Sequence, residues 1–292
     1  MLIDTHAHLN FLIYNKDRKE TIEKTLKENV WMINIGTDYQ TSKIALEIAK
    51  EYKKGVFASV GLHPINLDTG LIKMKRDDNE SNEAYFEKEF DFEKYAKLIK
   101  DGKNKVVAVG EIGFDYWYRP KSKAKREIFK EKQRELFRKE VALAEKFKLP
   151  LILHCRLGYE DLIEELKNIN YKYGGVIHCF CGEIKYLKKF LEMGYYIGFN
   201  GIIFKKIEGI DFNEIIKKTP LEKILVETDC PYLVPPQISE KPEIKKTKLD
   251  FIRNEPVNVK YIVERIAEIK KTKAKKIEEI TTKNATAFFK LK

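Results

Sequence analysis

The stretch IDTHAHL near the start of the chain places His6 and His8 two residues apart, directly behind a short apolar run. In an extended strand, residues two apart point to the same side. Paired imidazoles suit a core poorly, because each ring brings nitrogens that need partners. They suit a metal well, since neutral imidazole is a common ligand for zinc-like ions. Alone, the pair could equally sit on a surface. The chain has five histidines, His6, His8, His63, His154 and His178, and each falls at or just past the C-terminal end of an apolar run. Two carboxylates occupy matching positions, Glu111 after VVAVG and Asp229 after ILVET. His6, His8, His154, His178, Glu111 and Asp229 together could hold two divalent ions. Glu111 is a candidate bridge, because a carboxylate has two oxygens and an imidazole normally serves one metal. Ions about 3.5–4 Å apart can activate water on one side and stabilise a leaving oxygen on the other. The plainer alternative is that some of these histidines only make hydrogen bonds within the fold.

Such a set converges only if the elements carrying it do. Short apolar runs at 2–4, 31–35, 56–60, 106–110, 151–154, 175–178, 195–199 and 224–228 alternate with amphipathic, charged stretches such as 38–52, 122–147 and 183–192. In the second of these, Phe129, Leu136, Leu143 and Phe147 form one apolar stripe. Apolar strands alternating with helices imply a parallel sheet buried on both faces. Eight such units predict an α/β chain built as a single (β/α)8 TIM barrel, whose C-terminal strand ends carry the chemistry. An open doubly wound sheet is the alternative, but no glycine-rich dinucleotide fingerprint follows the first run. We read residues 1–292 as one domain, with two helices after Pro256, over 256–289, packing on it. The 68–103 connection is long and highly charged; its first part reads as a surface loop and 90–100 as a helix.

Aliphatic, aromatic and cysteine residues make up 43% of the 292 residues, enough for a large core. A formal net charge of +11 favours an acidic partner such as nucleic acid, against the alternative of a lysine-rich solvated surface. No stretch is apolar and long enough to span a membrane, and the N-terminus lacks a signal peptide's features. The expectation is a cytoplasmic protein with no membrane association, in which Cys155, Cys179, Cys181 and Cys230 are reduced.

The motifs IDTHAHL, GLHP, GEIGFDY, LHCR, HCF, ETDCPYLVP, RNEP and TTKNATAFF, in that order from residue 3 to residue 289, resemble the TatD family of metal-dependent deoxyribonucleases. The resemblance implies a metal-dependent hydrolase barrel with two divalent ions (Mg, Mn or Zn) and DNA as partner, single strands or strand ends. It implies hydrolysis of phosphodiester bonds, as a 3'-5' exonuclease; separately, no obligate protein partner is inferred and a monomer is expected. By position, His6, His8, Glu111 and Asp229 resemble the ligands of one metal and Glu111, His154 and His178 those of the second; His63 resembles a substrate-phosphate contact. Where the family often carries a Ser/Thr-rich patch near a lysine, this chain reads GFNGIIFKK, with Asn200 and Lys205. The same metal chemistry would also serve an amidohydrolase or esterase, such as an aminoacyl-tRNA deacylase, and a barrel that binds nucleic acid without chemistry is the non-enzymatic alternative.

Individual residues carry paired readings. Asp229 is the candidate general base, besides being a ligand, and Glu111 shares the catalytic centre. His63, protonated, could pair with a phosphate oxygen. Arg156 could grip a phosphate or make a surface salt bridge. Of Tyr116, Trp117 and Tyr118, one or two could stack on bases, and the others pack. Glu227 could orient a ligand or sit in a buried ion pair. Arg253–Pro256 could position the substrate or the Asp229 loop, and Asn254 and Glu255 could equally cap the helix that follows. Period-two geometry turns Cys155, Cys179 and Cys230 away from the ligands beside them, towards the helices. The lysine run KPEIKKTK could track a nucleic-acid backbone; KKTKAKK reads as a solvated loop.

Overall fold

The structure is a computed structural model describing residues 1–73, 77–80, 86–240 and 251–292. Eight strands form one sheet in the order β1 to β8: β1 (Leu2–Ala7), β2 (Val30–Ile35), β3 (Val56–Val60), β4 (Val106–Asp115), β5 (Leu151–Arg156), β6 (Gly175–Ile177), β7 (Tyr196–Phe199) and β8 (Ile224–Val226). Helices α1 (Arg18–Lys27), α2 (Tyr39–Glu51), α3 (Phe92–Gly102), α4 (Lys123–Phe147), α5 (Tyr159–Ile169), α6 (Ile184–Glu192) and α7 (Phe212–Lys218) connect them. The pairings β3–β4, β4–β5, β5–β6 and β7–β8 are parallel. This is the (β/α)8 class that the alternation of apolar runs and amphipathic stretches predicts. Among the described residues, no helix is long and apolar enough to cross a membrane.

The chain divides into two compact units. One comprises Met1–Leu9, Lys16–Ile33 and Cys179–Lys292; the other comprises Asn10–Asn15 and Asn34–His178. In the first, the terminal helices Val259–Ile269 and Ala274–Phe288 lie against β1 and β8. The amino group of Met1 reaches Glu278 Oε1 at 2.7 Å, and Thr282 Oγ1 donates to the Met1 carbonyl. Lys270, at the start of KKTKAKK, donates to the carbonyls of Lys217 and Thr219.

In the second unit, all ten residues of β4 are buried. Helix α4 covers this strand with Phe129, Leu136 and Leu143. Helix α2 starts at a capping box, in which Asp38 accepts the Thr41 backbone N–H at 2.7 Å and its own N–H is held by Thr41 Oγ1. Strand β4 bulges between Val109 and Ile112, and Gly113 sits at φ +136°, where a Cβ would come within 2.1 Å of the His154 carbonyl oxygen. Only glycine permits that approach.

The first part of the 68–103 connection is more than a surface loop. Glu80 is buried and takes hydrogen bonds from Thr37 Oγ1 and, at 3.0 Å, Asn66 Nδ2. Glu87 accepts from the Tyr39 backbone N–H at 2.6 Å and the Tyr95 hydroxyl at 2.9 Å. A charged stretch reads as loop from composition, yet these two carboxylates dock it by finding buried donors. Residues 74–76 and 81–85 of this connection, and the whole lysine run 241–248, lie outside the described residues.

Candidate metal centre

In the first unit, β1 carries His6 and continues to Ala7, so His8 follows it at once. The Nε2 atoms of the two rings are 3.1 Å apart. Asp229 Oδ1 is 3.3 Å from His8 Nε2 and 3.7 Å from His6 Nε2. Donor atoms about 2.0–2.2 Å from one tetrahedral ion stand about 3.3 Å from each other, so this trio fits a divalent cation in type and spacing.

The scaffold behind it is specific. Asp4 is fully buried; it accepts from the His6 and Thr228 backbone N–H groups at 3.2 and 2.9 Å and from Thr228 Oγ1 at 2.5 Å. Burial pushes its carboxyl up to about 8, against the pull of those hydrogen bonds. The Asp229 N–H donates to the His6 carbonyl at 2.8 Å, and the His8 N–H to that of Cys230 at 2.9 Å. Asp229 adopts φ +56°, a left-handed conformation that aspartate tolerates better than most residues. Asn254 holds the turn by donating to the Tyr232 carbonyl at 2.9 Å, so of the readings of RNEP the loop-positioning one fits Asn254. Arg253 makes a two-pronged pair with Asp17 at 2.7 and 2.5 Å, and Glu255 pairs with Lys24; Glu255 stands at the N-cap position of the next helical turn without a side-chain cap bond. Glu227 Oε1 accepts from the Cys179 N–H and from Asn200 Nδ2.

Cys179 departs from expectation. Strand β6 ends at Ile177, so alternation no longer governs, and φ +46° at Cys179 turns its thiol to Asn200 Oδ1 at 3.5 Å. Burial, then the charges of Asp229, Cys181 and Glu227, push this thiol up. Cys155 and Cys230 are buried as expected.

The second unit gathers Glu111, Asp115, His63, His154 and His178. Glu111 lies inside β4 rather than after it, because the strand runs on to Asp115. Glu111 Oε1 is 2.8 Å from His154 Nδ1, 3.4 Å from His63 Nε2 and 3.6 Å from His178 Nε2. Two overlapping donor groups result, Glu111–His154–His178 and His63–Asp115–His154. Asp115 was missed by sequence reasoning; its signal is its place four residues after Glu111 on an extended run, hence the same face. Asp115 Oδ2 is 3.1 Å from His154 Nε2, and Gln133 of α4 clasps the Asp115 backbone with two hydrogen bonds of 3.0 Å. Burial disfavours the charged forms of His154 and Asp115, but their mutual hydrogen bond and charge, with Glu111 beside the imidazole, outweigh it. His154 rises to about 9 and Asp115 falls to about 2. A cationic ring already bridging two carboxylates marks a place where a metal ion could replace the ring proton.

His63 lies in the second unit, with its Nε2 3.4 Å from Glu111 Oε1. Its Nδ1 accepts the Ile65 N–H at 3.1 Å, which leaves Nε2 as the atom that faces the cluster. Arg156 lies with Nε 3.8 Å from Asp115 Oδ2 and its guanidinium carbon 4.6 Å from the Trp117 ring centre. Tyr116 is buried, whereas Trp117 and Tyr118 are 58% and 50% exposed.

The protein family described as TatD related DNase matches residues 3–290. An uncharacterized metal-dependent hydrolase of Bacillus subtilis, YabD, is 34% identical, with both chains covered completely. A protein of Edwardsiella piscicida named 3'-5' ssDNA/RNA exonuclease TatD is 31% identical over 89% of this chain and 88% of its own length. Among solved structures, the TatD homologue YjjV of Escherichia coli K12 superimposes with a TM-score of 0.77 at 25% identity, covering 100% of this chain and 98% of that one.

Proposed function

Because this chain belongs to the TatD-related DNase family and is a metal-dependent hydrolase of (β/α)8 fold, we propose that it hydrolyses phosphodiester bonds of single-stranded DNA from the 3' end, acting as a cytoplasmic monomer. His6, His8 and Asp229 of the first unit would hold one divalent ion, and Glu111, His154 and His178 of the second unit another. Bound there, such ions supply an acidified water and positive charge beside the phosphate. The chain's own residues do the rest. Asp229, at the turn after β8, accepts the proton of the attacking water. His63 donates its Nε2–H to a phosphate oxygen, and Arg156, whose guanidinium keeps its donors, takes another. Asp115 holds the His154 ring in one orientation through Nε2, which leaves Nδ1 and its neighbour Glu111 facing each other.

The observation that carries the reading is the meeting of His6 Nε2, His8 Nε2 and Asp229 Oδ1 within 3.7 Å, in a chain related along its whole length to metal-dependent hydrolases. The test is cleavage of 5'-end-labelled single-stranded DNA with Mg²⁺, Mn²⁺ or Zn²⁺, beside Glu111→Ala and Asp229→Ala. A ladder shortening from the 3' end, absent in both variants, supports the proposal. A protein that holds metal yet cuts no DNA with any ion overturns it and turns attention to ester and amide substrates such as aminoacyl-tRNA.

A further inference from the structure

The connection between β4 and α4 leaves two large aromatic rings in solvent. Trp117 and Tyr118 are exposed, while Tyr116 beside them is buried. The two exposed rings share one cation: the Arg156 guanidinium carbon is 4.6 Å from the Trp117 ring centre and 5.7 Å from that of Tyr118. The Trp117 backbone N–H is fixed to Asp115 Oδ1 at 2.9 Å, and the other oxygen of the same carboxylate faces His154. The exposed step is therefore rigidly joined to the donor cluster of its unit.

Next to it lies a cavity of about 260 Å³ lined by Tyr116, Arg119, Lys123, Arg126, Lys130 and Phe129, with Glu127 its one acid. Lys130 is engaged by Asp161 at 3.3 Å and lies over the Tyr116 ring. Arg126 gives one donor to the Lys121 carbonyl at 3.3 Å, and its buried Nε meets no acceptor among the described residues. Arg119 and Lys123 are exposed. At roughly 30 Å³ per water in the liquid, the cavity has room for a phosphate and its sugar. Exposed faces able to stack, beside a basic hollow, suit a chain of alternating bases and phosphates. Aromatic stacking tolerates any base and needs it unpaired.

We propose that this connection is a binding step for single-stranded nucleic acid, with one base stacked on Trp117 and the neighbouring backbone phosphate held by Arg119, Lys123 and Arg126. It rests on the reading above that the substrate is a nucleic acid, and it names the residues that grip the strand away from the scissile bond. A folded duplex is a poor fit, because its bases present no free faces to the ring.

Binding of a fluorescein-labelled dT12 oligonucleotide with hydrolysis-resistant phosphorothioate linkages to the metal-loaded protein, followed by anisotropy, tests this. Trp117→Ala is expected to weaken binding on the order of tenfold and Trp117→Phe to restore most of it. Arg119→Gln with Lys123→Gln is expected to lower the slope of log K against log salt by about 1.4, at about 0.7 per phosphate contact on a single strand. The chain has two tryptophans, so in Trp31→Phe the remaining emission comes from Trp117 and should be quenched by dT12. Unchanged affinity in Trp117→Ala, an unchanged salt slope, or unquenched emission despite binding each overturns the proposal. So does a wild-type protein that does not bind dT12. Hydrolysis of bis(p-nitrophenyl) phosphate, run in parallel, separates the two readings. Turnover of this small diester without dT12 binding defeats the stacking step and spares the hydrolase, while stacking without turnover does the reverse.

Discussion

In one unit, two imidazoles share a single carboxylate; in the other, three imidazoles surround two. The difference lies in what holds the donors still. His6, His8 and Asp229 are fixed from behind by backbone: Asp4 ties the His6 and Thr228 N–H groups, Asp229 donates to the His6 carbonyl, and a left-handed turn aims its carboxylate. Glu111, Asp115 and His154 instead fix one another side chain to side chain. The first cluster therefore depends on the strand ends around it, and the second on keeping its opposite charges together.

The largest effects should come from the donors. Glu111→Ala and Asp229→Ala should each lower kcat/KM by at least on the order of 10²–10³, with thermal unfolding curves showing both still folded. Comparable loss in both would show that neither cluster works alone. The next effect is structural and confined to the second unit. Gly113→Ala puts a Cβ 2.1 Å from the His154 carbonyl oxygen at φ +136°, and should cost about 2–4 kcal/mol in urea unfolding. A smaller pair sharpens the contrast. Asp4→Asn and Asp115→Asn should each weaken metal binding by about 10–100-fold, read as bound metal per chain after dialysis. Asp4→Asn should thin out one ion and Asp115→Asn the other; equal loss of both from either variant would erase the distinction drawn here.

The smallest effect concerns the pair of Arg253 and Asp17. The Arg253 guanidinium holds the Asp17 carboxyl below its ordinary value. Because the folded value is depressed, the pair's contribution is present above the ordinary carboxylate range near pH 4 and lost as pH falls through the folded value. Arg253→Ala should cost about 0.2–1 kcal/mol at neutral pH, the range of partly exposed pairs. The gap to wild type should close in acid; a gap that persisted there would assign Arg253 a packing role instead.

Much of this contrast is readable from the chain, and the unread parts share a physical cause. Apolar runs located all eight strands, because a strand buried on both faces is a nearly continuous apolar word. They could not reveal that β4 carries on through Glu111 to Asp115, since a carboxylate ends an apolar run on paper while β4 buries it among histidines. Asp4 and Asp115 escaped notice for the same reason: a single acid in a strand has no pattern until its donors, Thr228 and His154, come from elsewhere in the sequence. Cys179 misled because alternation was carried one residue beyond the strand that justified it. Glu80 and Glu87 looked like solvent-facing charge, because composition records polarity and is silent about partners. The six donor-type residues were visible because histidines are rare here and all of them follow apolar runs.

The order in which the two clusters can form during synthesis is unequal. The unit containing Glu111 and His154 is complete once residue 178 has emerged, and most of it is one continuous segment. His6 and His8 are made among the first residues, but Asp229 follows about 220 residues later. At about 5–20 residues per second, the two early imidazoles wait roughly 10–45 s for their carboxylate. Over the last 51 residues of that interval, from His178 to Asp229, every donor of one unit has been made while the other still lacks its carboxylate.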